Sequence, residues 1–240
     1  MPDYDPRLVA LYDDDNPDGE DHRFYRGLID RESAAAVLDL GCGTGILTVT
    51  LAATDRRVVG VDPSERMIGY ARARAGADRV EWVDGDSRDL PSGPFDAAIM
   101  TGNVAQHITG DDWSRTLDDI RARMPIGGLL AFEARNPSRR PWEDWVAAGR
   151  TVRDTRLGSV EEWYEAAEGH AGIVRITAHT VFASSGDHVV HEFDLAFRDR
   201  ATLERHLTAS GFAVEAVHGD WRGTPFSGEQ SLMIVEARAV

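Results

Sequence analysis

The residues with the plainest chemical meaning are three glycines and an aspartate. Val37 to Gly45 reads Val-Leu-Asp-Leu-Gly-Cys-Gly-Thr-Gly, and Asp62 follows twenty-one residues after Gly41. A side chain at Gly41, Gly43 or Gly45 would keep a ligand off the backbone or forbid the φ values of a tight turn, so the glycines make room for something lying on the loop. An aspartate at that distance can accept two hydrogen bonds from a ribose diol, which points to a nucleoside-containing ligand. The dinucleotide pattern Gly-x-Gly-x-x-Gly would require glycine where Ile46 stands, and its third glycine falls one residue early at Gly45, which weakens a dehydrogenase reading. Further along, His107 is a general-base candidate because an unperturbed imidazole titrates near neutrality, and Asn103 stands one helical turn before it.

These side chains need elements to position them. Ala34 to Leu40 has the continuous hydrophobicity of a strand buried on both faces, and the glycines that end it open the apolar helical pattern Ile46 to Ala53. Arg57 to Val61 is a second strand, with Asp62 at its C-terminal end. Ser64 then stands at a helix N-cap, with Met67, Ile68 and Ala71 at helical spacing behind it. Val80 to Val83 gives a third strand and Phe95 to Met100 a fourth. Trp113, Leu117, Ile120 and Met124 make a core-facing helical stripe, and Leu129 to Arg135 is a fifth strand with Glu133 and Arg135 on one side. Strand C-terminal ends line the ligand crevice of an open α/β sheet, so Thr101, Gly102, Asn103, His107, Glu133, Arg135 and Asn136 are expected at one crevice.

The flanking regions read differently. Six acids, Asp13, Asp14, Asp15, Asp18, Glu20 and Asp21, surround Asn16-Pro17 and Gly19, which predicts a solvated loop. Their spacing lacks the bidentate glutamate and fixed glycine of a calcium loop, and no metal site is expected. After Asn136-Pro137, Pro141 suits a first helical position, and Trp142, Trp145 and Val146 form an aromatic face. Residues 151 to 197 read as an antiparallel β insertion, in which Ile173 to Phe182 and Val189 to Phe197 alternate around the turn Ser184-Ser185-Gly186-Asp187. His191 is the one polar group on the face of Val189, Phe193, Leu195 and Phe197; it is either a hydrogen-bonded packing residue or a contact for a substrate.

Asp39 to Gly45 resembles the nucleotide-loop signature of class I S-adenosylmethionine-dependent methyltransferases of the small-molecule type. Val59-Gly60-Val61-Asp62-Pro63-Ser64 followed by Met67-Ile68 resembles their second motif, and Asp84-Gly85-Asp86-Ser87 their third. The likeness covers roughly residues 30 to 135 and resumes near the C-terminus. It implies an α/β Rossmann-like, doubly wound seven-stranded sheet, mostly parallel with one antiparallel C-terminal strand, closed by Phe212 to Val217 and Ser231 to Ala237, with a small antiparallel β insertion. It further implies S-adenosyl-L-methionine as cofactor and S-adenosyl-L-homocysteine as product. Asp39, Gly41, Cys42, Gly43, Gly45, Asp62, Pro63, Met67, Asp86, Ser87, Thr101 and Gly102 would face the cofactor. In that scheme Asp86 accepts from the adenine amine and the Ser87 backbone adds a second contact. Met67 lies against the adenine or fills core space. Tyr4, Tyr12 and Tyr25 are candidate lid residues, with core packing an equal account of Tyr12 and Tyr25.

The expected division is residues 1–32 as an N-terminal helical lid, 33–136 with 198–240 as the cofactor-binding part, and 137–197 as a cap over the acceptor. Arg135, Asn136, Trp142, Trp145 and His191 are the acceptor-side candidates, with His107 and Asn103 at the reacting centre. The implied reaction is in-line methyl transfer to O or N of a small molecule. A non-methylating cyclase or pericyclase-type use of the same cofactor, and a cofactor-binding regulator without turnover, stand as alternatives.

Composition bounds the partners. The 240 residues suit one α/β domain with an insertion. A formal net charge of −15 repels phosphate backbones, so nucleic acid is not expected. The chain has no lysine, which excludes Schiff-base and P-loop chemistry. The single cysteine, Cys42, cannot form an internal disulfide, and its place in the loop reads as a small packed residue. The absence of an apolar run of about 18 residues and the start Pro2-Asp3-Tyr4-Asp5 predict neither a membrane span nor a secretory signal, hence a cytoplasmic protein. Monomer and homodimer both remain open.

Overall fold

The computed structural model describes residues 3–53 and 55–240; residues 1, 2 and 54, and with them Pro2 of the expected lid, lie outside the described residues. Asp5 caps α1 (Pro6–Asp15) by accepting from the Arg7 backbone N–H, with Pro6 at the first position, where a missing N–H costs nothing. The helix runs through Asp13, Asp14 and Asp15, which corrects the expectation of a loop there. Only residues 16 to 19 separate it from α2 (Glu20–Arg31). Cations from distant parts of the chain offset the acidic run: Arg74 pairs with Asp13, Arg156 with Asp14 and Arg153 with Asp15.

Strands and helices then alternate as β1 (Ala36–Leu40), α3 (Thr48–Leu51), β2 (Arg57–Asp62), α4 (Glu65–Arg72), β3 (Val80–Asp84), β4 (Ala97–Met100), α5 (Val104–His107), α6 (Asp111–Arg121) and β5 (Leu129–Arg135). Two helices are shorter than their apolar patterns: α3 covers only part of Ile46 to Ala53, and α6 ends before Met124. Next, α7 (Pro141–Ala147) leads into β6 (Thr151–Thr155), β7 (Gly158–Glu168), β8 (Ile173–Phe182) and β9 (Asp187–Ala196). Finally α8 (Arg200–Ala209), β10 (Phe212–His218) and β11 (Leu232–Ala239) return to the first sheet.

That first sheet has seven strands in the order β10-β11-β5-β4-β1-β2-β3, and β11 runs antiparallel to both its neighbours. Alternate residues of its central strands feed two cores. Leu38, Val59, Ala98, Leu130 and Phe132 pack with Trp113, Leu117 and Ile120 of α6 and Leu203 and Leu207 of α8. Val37, Val58, Ala97, Ile99 and Ala131 pack with Tyr25, Leu28 and Ile29 of α2 and Leu51 of α3. Burial on both faces is why the interiors of these strands are apolar, with Asp39 in β1 and Glu133 in β5 as the exceptions. The order reverses between β1 and its neighbour β4, and the crevice beyond their C-terminal ends is where such sheets bind ligands. The glycine loop leaves one of these strands and Thr101 to Asn103 the other.

A second, four-stranded antiparallel sheet has the order β6-β7-β8-β9. At one end of its inner face Val174, Ile176, Leu195 and Phe197 close on Trp142 of α7. At the other, Val160 and Phe182 close on Leu11 of α1. The two sheets are thus joined through α1 and α7, with α5 against β9 between them.

Candidate active site

Gly41, Gly43 and Gly45 have φ of 76°, 53° and 73°, a left-handed region that only glycine enters freely. Their surroundings divide them. A Cβ on Gly41 would sit 2.3 Å from Val104 Cγ2, and one on Gly45 2.5 Å from the Trp82 ring, so these two are required by packing. A Cβ on Gly43 or on Gly102 would meet nothing nearer than the Tyr12 ring, at 3.7 and 3.8 Å. Gly43 and Gly102 therefore leave a space one side-chain atom deep that is covered by the Tyr12 ring, between the ends of β1 and β4.

Three buried carboxylates stand behind that space. Asp62, 9% exposed, accepts from the Gly43 N–H and the Ser64 N–H at 2.9 Å each, which ties the glycine loop to the start of α4. Asp39 accepts from the Thr48 hydroxyl at 2.6 Å, and its Oδ1 is buried without a partner. Glu133, 2% exposed, accepts from the Tyr25 hydroxyl and from the Asn103 N–H. Burial pushes Asp39 and Glu133 each up to about 7 and raises Asp62 as well; Asp62 and Glu133 add repulsion at Asp39. None of the three is ion-paired among the described residues. Buried carboxylates without a cation are costly, and a ligand that brings positive charge relieves them. The sulfonium and ammonium groups of S-adenosylmethionine fit this donor set, with the unpartnered Asp39 Oδ1 and Asn103 Oδ1 as further acceptors.

The N-terminal segment covers the same space. Asp3 accepts from the Ser64 hydroxyl and the Arg66 N–H, Asp13 accepts from the Thr44 hydroxyl of the glycine loop, and Tyr12 stands over Gly43. Burial, with Asp62 nearby, pushes the Tyr4 phenol up to about 12, and its ring lies 4.7 Å from His191. Tyr25 is fully buried and does not belong to this cover; it holds Glu133 from beneath.

On the acceptor side, Asn103 adopts φ 62° as the residue before α5, and His107 ends that single turn. His107 is exposed, with the Phe193 ring 5.4 Å away and with His191 and Arg135 near enough to act on its charge. Burial, then the charge of Arg135 and the nearness of His191, push His107 down to about 4. His191 packs on Phe193 at 5.2 Å with its Nε2 unpartnered, and burial lowers its pKa also. The Arg135 guanidinium lies 5.0 Å over the Trp145 ring.

Other expected site residues lie elsewhere or are otherwise engaged. Trp142 is 7% exposed inside the cap core, so it corrects the expectation of an indole wall made by both tryptophans; only Trp145 is half-exposed. Asn136 is also corrected: its amide donates to the Gly228 and Gln230 carbonyls and its oxygen accepts from Ser138, which ties down the loop before β11. Met67 is buried one turn into α4, and Asp86 is paired with Arg88 at the edge of the crevice. Ser87 is buried and donates to Asp119 at 2.7 Å; Pro63 is exposed and Thr101 half-buried. Burial raises the Cys42 thiol well above its ordinary range, which makes it inert. Gln106 and Phe193 were not singled out from sequence, although an aromatic on the same face as His191 was the available signal. A groove of about 660 Å³ between α8 and β10 contains none of these residues.

Residues 37–128 match the family model described as a methyltransferase domain. The trans-aconitate 2-methyltransferase of Azoarcus sp. is 31% identical over 188 residues, 71% of this chain and 70% of that protein. Among solved structures, the CcbJ methyltransferase of Streptomyces caelestis superposes with a TM-score of 0.80 at 21% identity, covering 99% of this chain and 100% of that one. An amino pentose methyltransferase of Micromonospora echinaspora, solved with S-adenosylmethionine bound, gives 0.68 at 20% identity over 100% and 99% of the two chains. With the glycine loop, the carboxylate cluster and the sheet order in place, the chain belongs to the S-adenosylmethionine-dependent methyltransferases.

Proposed function

We propose that the protein methylates a nitrogen or oxygen of a small-molecule acceptor held between the C-terminal ends of β4 and β5 and the inner face of the antiparallel sheet. In this reading residues 1–32 form a lid, 33–136 with 198–240 bind the cofactor, and 137–197 cap the acceptor. The observation that carries it is the place of His107 at the end of α5, whose preceding residue Asn103 donates its N–H to Glu133, with the imidazole ring 5.4 Å from that of Phe193. The cofactor, when bound, supplies an electrophilic methyl with its own leaving group.

The chain's own residues supply alignment and proton transfer. Asp62 would take the ribose hydroxyls, Gly43 and Gly102 would let the ligand reach the backbone, and Asp39, Glu133 and the side-chain Oδ1 of Asn103 would offset its positive charge. Tyr4 and Tyr12 exclude water from above. His107 accepts the proton of a hydroxyl acceptor, while a neutral amine sheds its proton without it. No helix among the described residues is long and apolar enough to cross a membrane.

The test is release of S-adenosylhomocysteine with matched hydroxyl and amine acceptors. His107→Ala is expected to lower kcat about 100-fold for a hydroxyl acceptor. A fall below about threefold assigns His107 to structure and favours an amine acceptor. Tight cofactor binding without product release across the panel would sink the methyl-transfer reading.

A further inference from the structure

The cleft carries uncompensated charge of both signs. Asp39, Asp62 and Glu133 crowd its cofactor end, and a single guanidinium, Arg135, stands at its acceptor end. We propose that Arg135, oriented by Gln106 and Trp145, binds a carboxylate on the methyl acceptor, an assignment that rests on the methyl-transfer reading of the cleft.

The use of arginine elsewhere in the chain makes Arg135 unusual. The other half-buried arginines without a carboxylate partner spend their donors on carbonyls: Arg121 on Gly211, Met124 and Val240, Arg123 on Leu90 and Asp119, Arg198 on Ala105 and Ile108. Arg135 has one side-chain acceptor, Gln106 Oε1, 3.2 Å from Nη1, and no carboxylate pairs with it among the described residues. Its Nε and Nη2 have no acceptor among the described residues and are not among the fully buried unpartnered atoms, which leaves both donors available. Burial lowers its pKa, the mark of a cation held away from bulk water, and Glu133 offsets this only at longer range.

The guanidinium is also fixed in advance. Gln106 is 1% exposed, and the oxygen that receives Nη1 also receives the Arg135 backbone N–H at 3.2 Å. Trp145 covers one face of the guanidinium at 5.0 Å. A planar fork held in this way, with two donors free, matches a carboxylate bidentately. One positive charge also matches the single negative charge of a carboxylate better than the double charge of a phosphate monoester. In a chain of net charge −15, an anionic acceptor needs such a local cation to enter at all.

The test is fluorine NMR titration of 4-fluorobenzoate and uncharged 4-fluorobenzamide into the 240-residue chain, with and without S-adenosylhomocysteine. The acid is expected to bind saturably and about tenfold or more tighter than the amide. Arg135→Gln should abolish that preference, and Arg135→Lys, which keeps the charge but not the fork, should retain part of it. Equal binding of acid and amide, binding of neither, or a preference untouched in both variants overturns the assignment. Calorimetry of S-adenosylhomocysteine separates the two readings. Failure of the wild type to bind it sinks methyl transfer, whereas normal binding without an acid preference sinks the carboxylate alone.

Discussion

The proposed function adds a second task to the backbone bonds of Asp62, and substitution can separate the two. Each of its oxygens already holds a backbone N–H, from Gly43 and from Ser64, yet a carboxylate has lone pairs left for a diol. Asp62→Ala should cost about 1.5 to 3 kcal/mol of cofactor affinity through the lost charge-assisted contact. It also strands two buried N–H groups, so Tm should fall as well. Asp62→Asn keeps one acceptor oxygen and should lose affinity with a smaller fall in Tm. Titration with S-adenosylhomocysteine beside thermal melts reads both effects, and undiminished affinity in both variants would put the ribose elsewhere. His107 has its own signature in pH. Its pKa is pushed down to about 4, so the imidazole is protonated, and useless as a base, only below that value. With a hydroxyl acceptor and saturating cofactor, kcat should stay level down to about pH 5 and then fall with the slope of one ionisation. A midpoint near the ordinary histidine value would show that the ring is solvated during turnover.

At the scale of elements, α7 shows what a periodic pattern can and cannot say. The spacing of Trp142, Trp145 and Val146 identifies a helix with an aromatic face, but not which surface covers it. In the fold Trp142 goes into the cap core beside Phe197, at 4.4 Å between rings, and Trp145 stays at the rim over Arg135. Trp142→Ala should therefore destabilise the cap by about 3 to 5 kcal/mol, visible in Tm. Trp145→Ala should leave Tm near wild type and raise KM for the acceptor; the reverse pattern would return Trp142 to the cleft. The strands β1, β2, β4 and β5 were legible because burial on both faces leaves largely apolar runs, interrupted inside only by Asp39 in β1 and Glu133 in β5. The glutamate-rich β7 had no such mark: Glu165 and Glu168 are exposed while Val160 is fully buried. The helical state of Asp13 to Asp15 was hidden too, since the arginines that pair with it lie about 60 to 140 residues away. The glycines and Asp62 were legible because one local turn defines them. The Tyr25–Glu133 pair spans 108 residues, and its only local trace is a charge inside the apolar run Leu129 to Ala134.

For the molecule as a whole, the buried carboxylates couple folding, pH and ligand charge. The pKa values of Asp39 and Glu133 are raised in the folded state from ordinary carboxylate values to about 7. Between roughly pH 4 and 7 the folded chain therefore holds protons that the unfolded chain has released, so these two groups make stability fall as pH rises through that window. His107 acts oppositely. Its lowered pKa leaves the unfolded chain with the extra proton between about 4 and 6.5, so its share of stability is lost as pH falls. Glu133→Gln, which cannot ionise, isolates its part of the carboxylate effect and should flatten the decline between about pH 4.5 and 7. A positively charged ligand should do the same without mutation. Once Asp39 and Glu133 ionise, the sulfonium of S-adenosylmethionine compensates charge that would otherwise stand unpaired, whereas S-adenosylhomocysteine carries no sulfonium. The rise in Tm on adding S-adenosylmethionine should be larger at about pH 8 than at about pH 5.5. The same comparison with S-adenosylhomocysteine should show a smaller difference. Equal shifts for the two ligands at both pH values would mean that the carboxylates do not face the sulfonium and that their strain is relieved from within the protein.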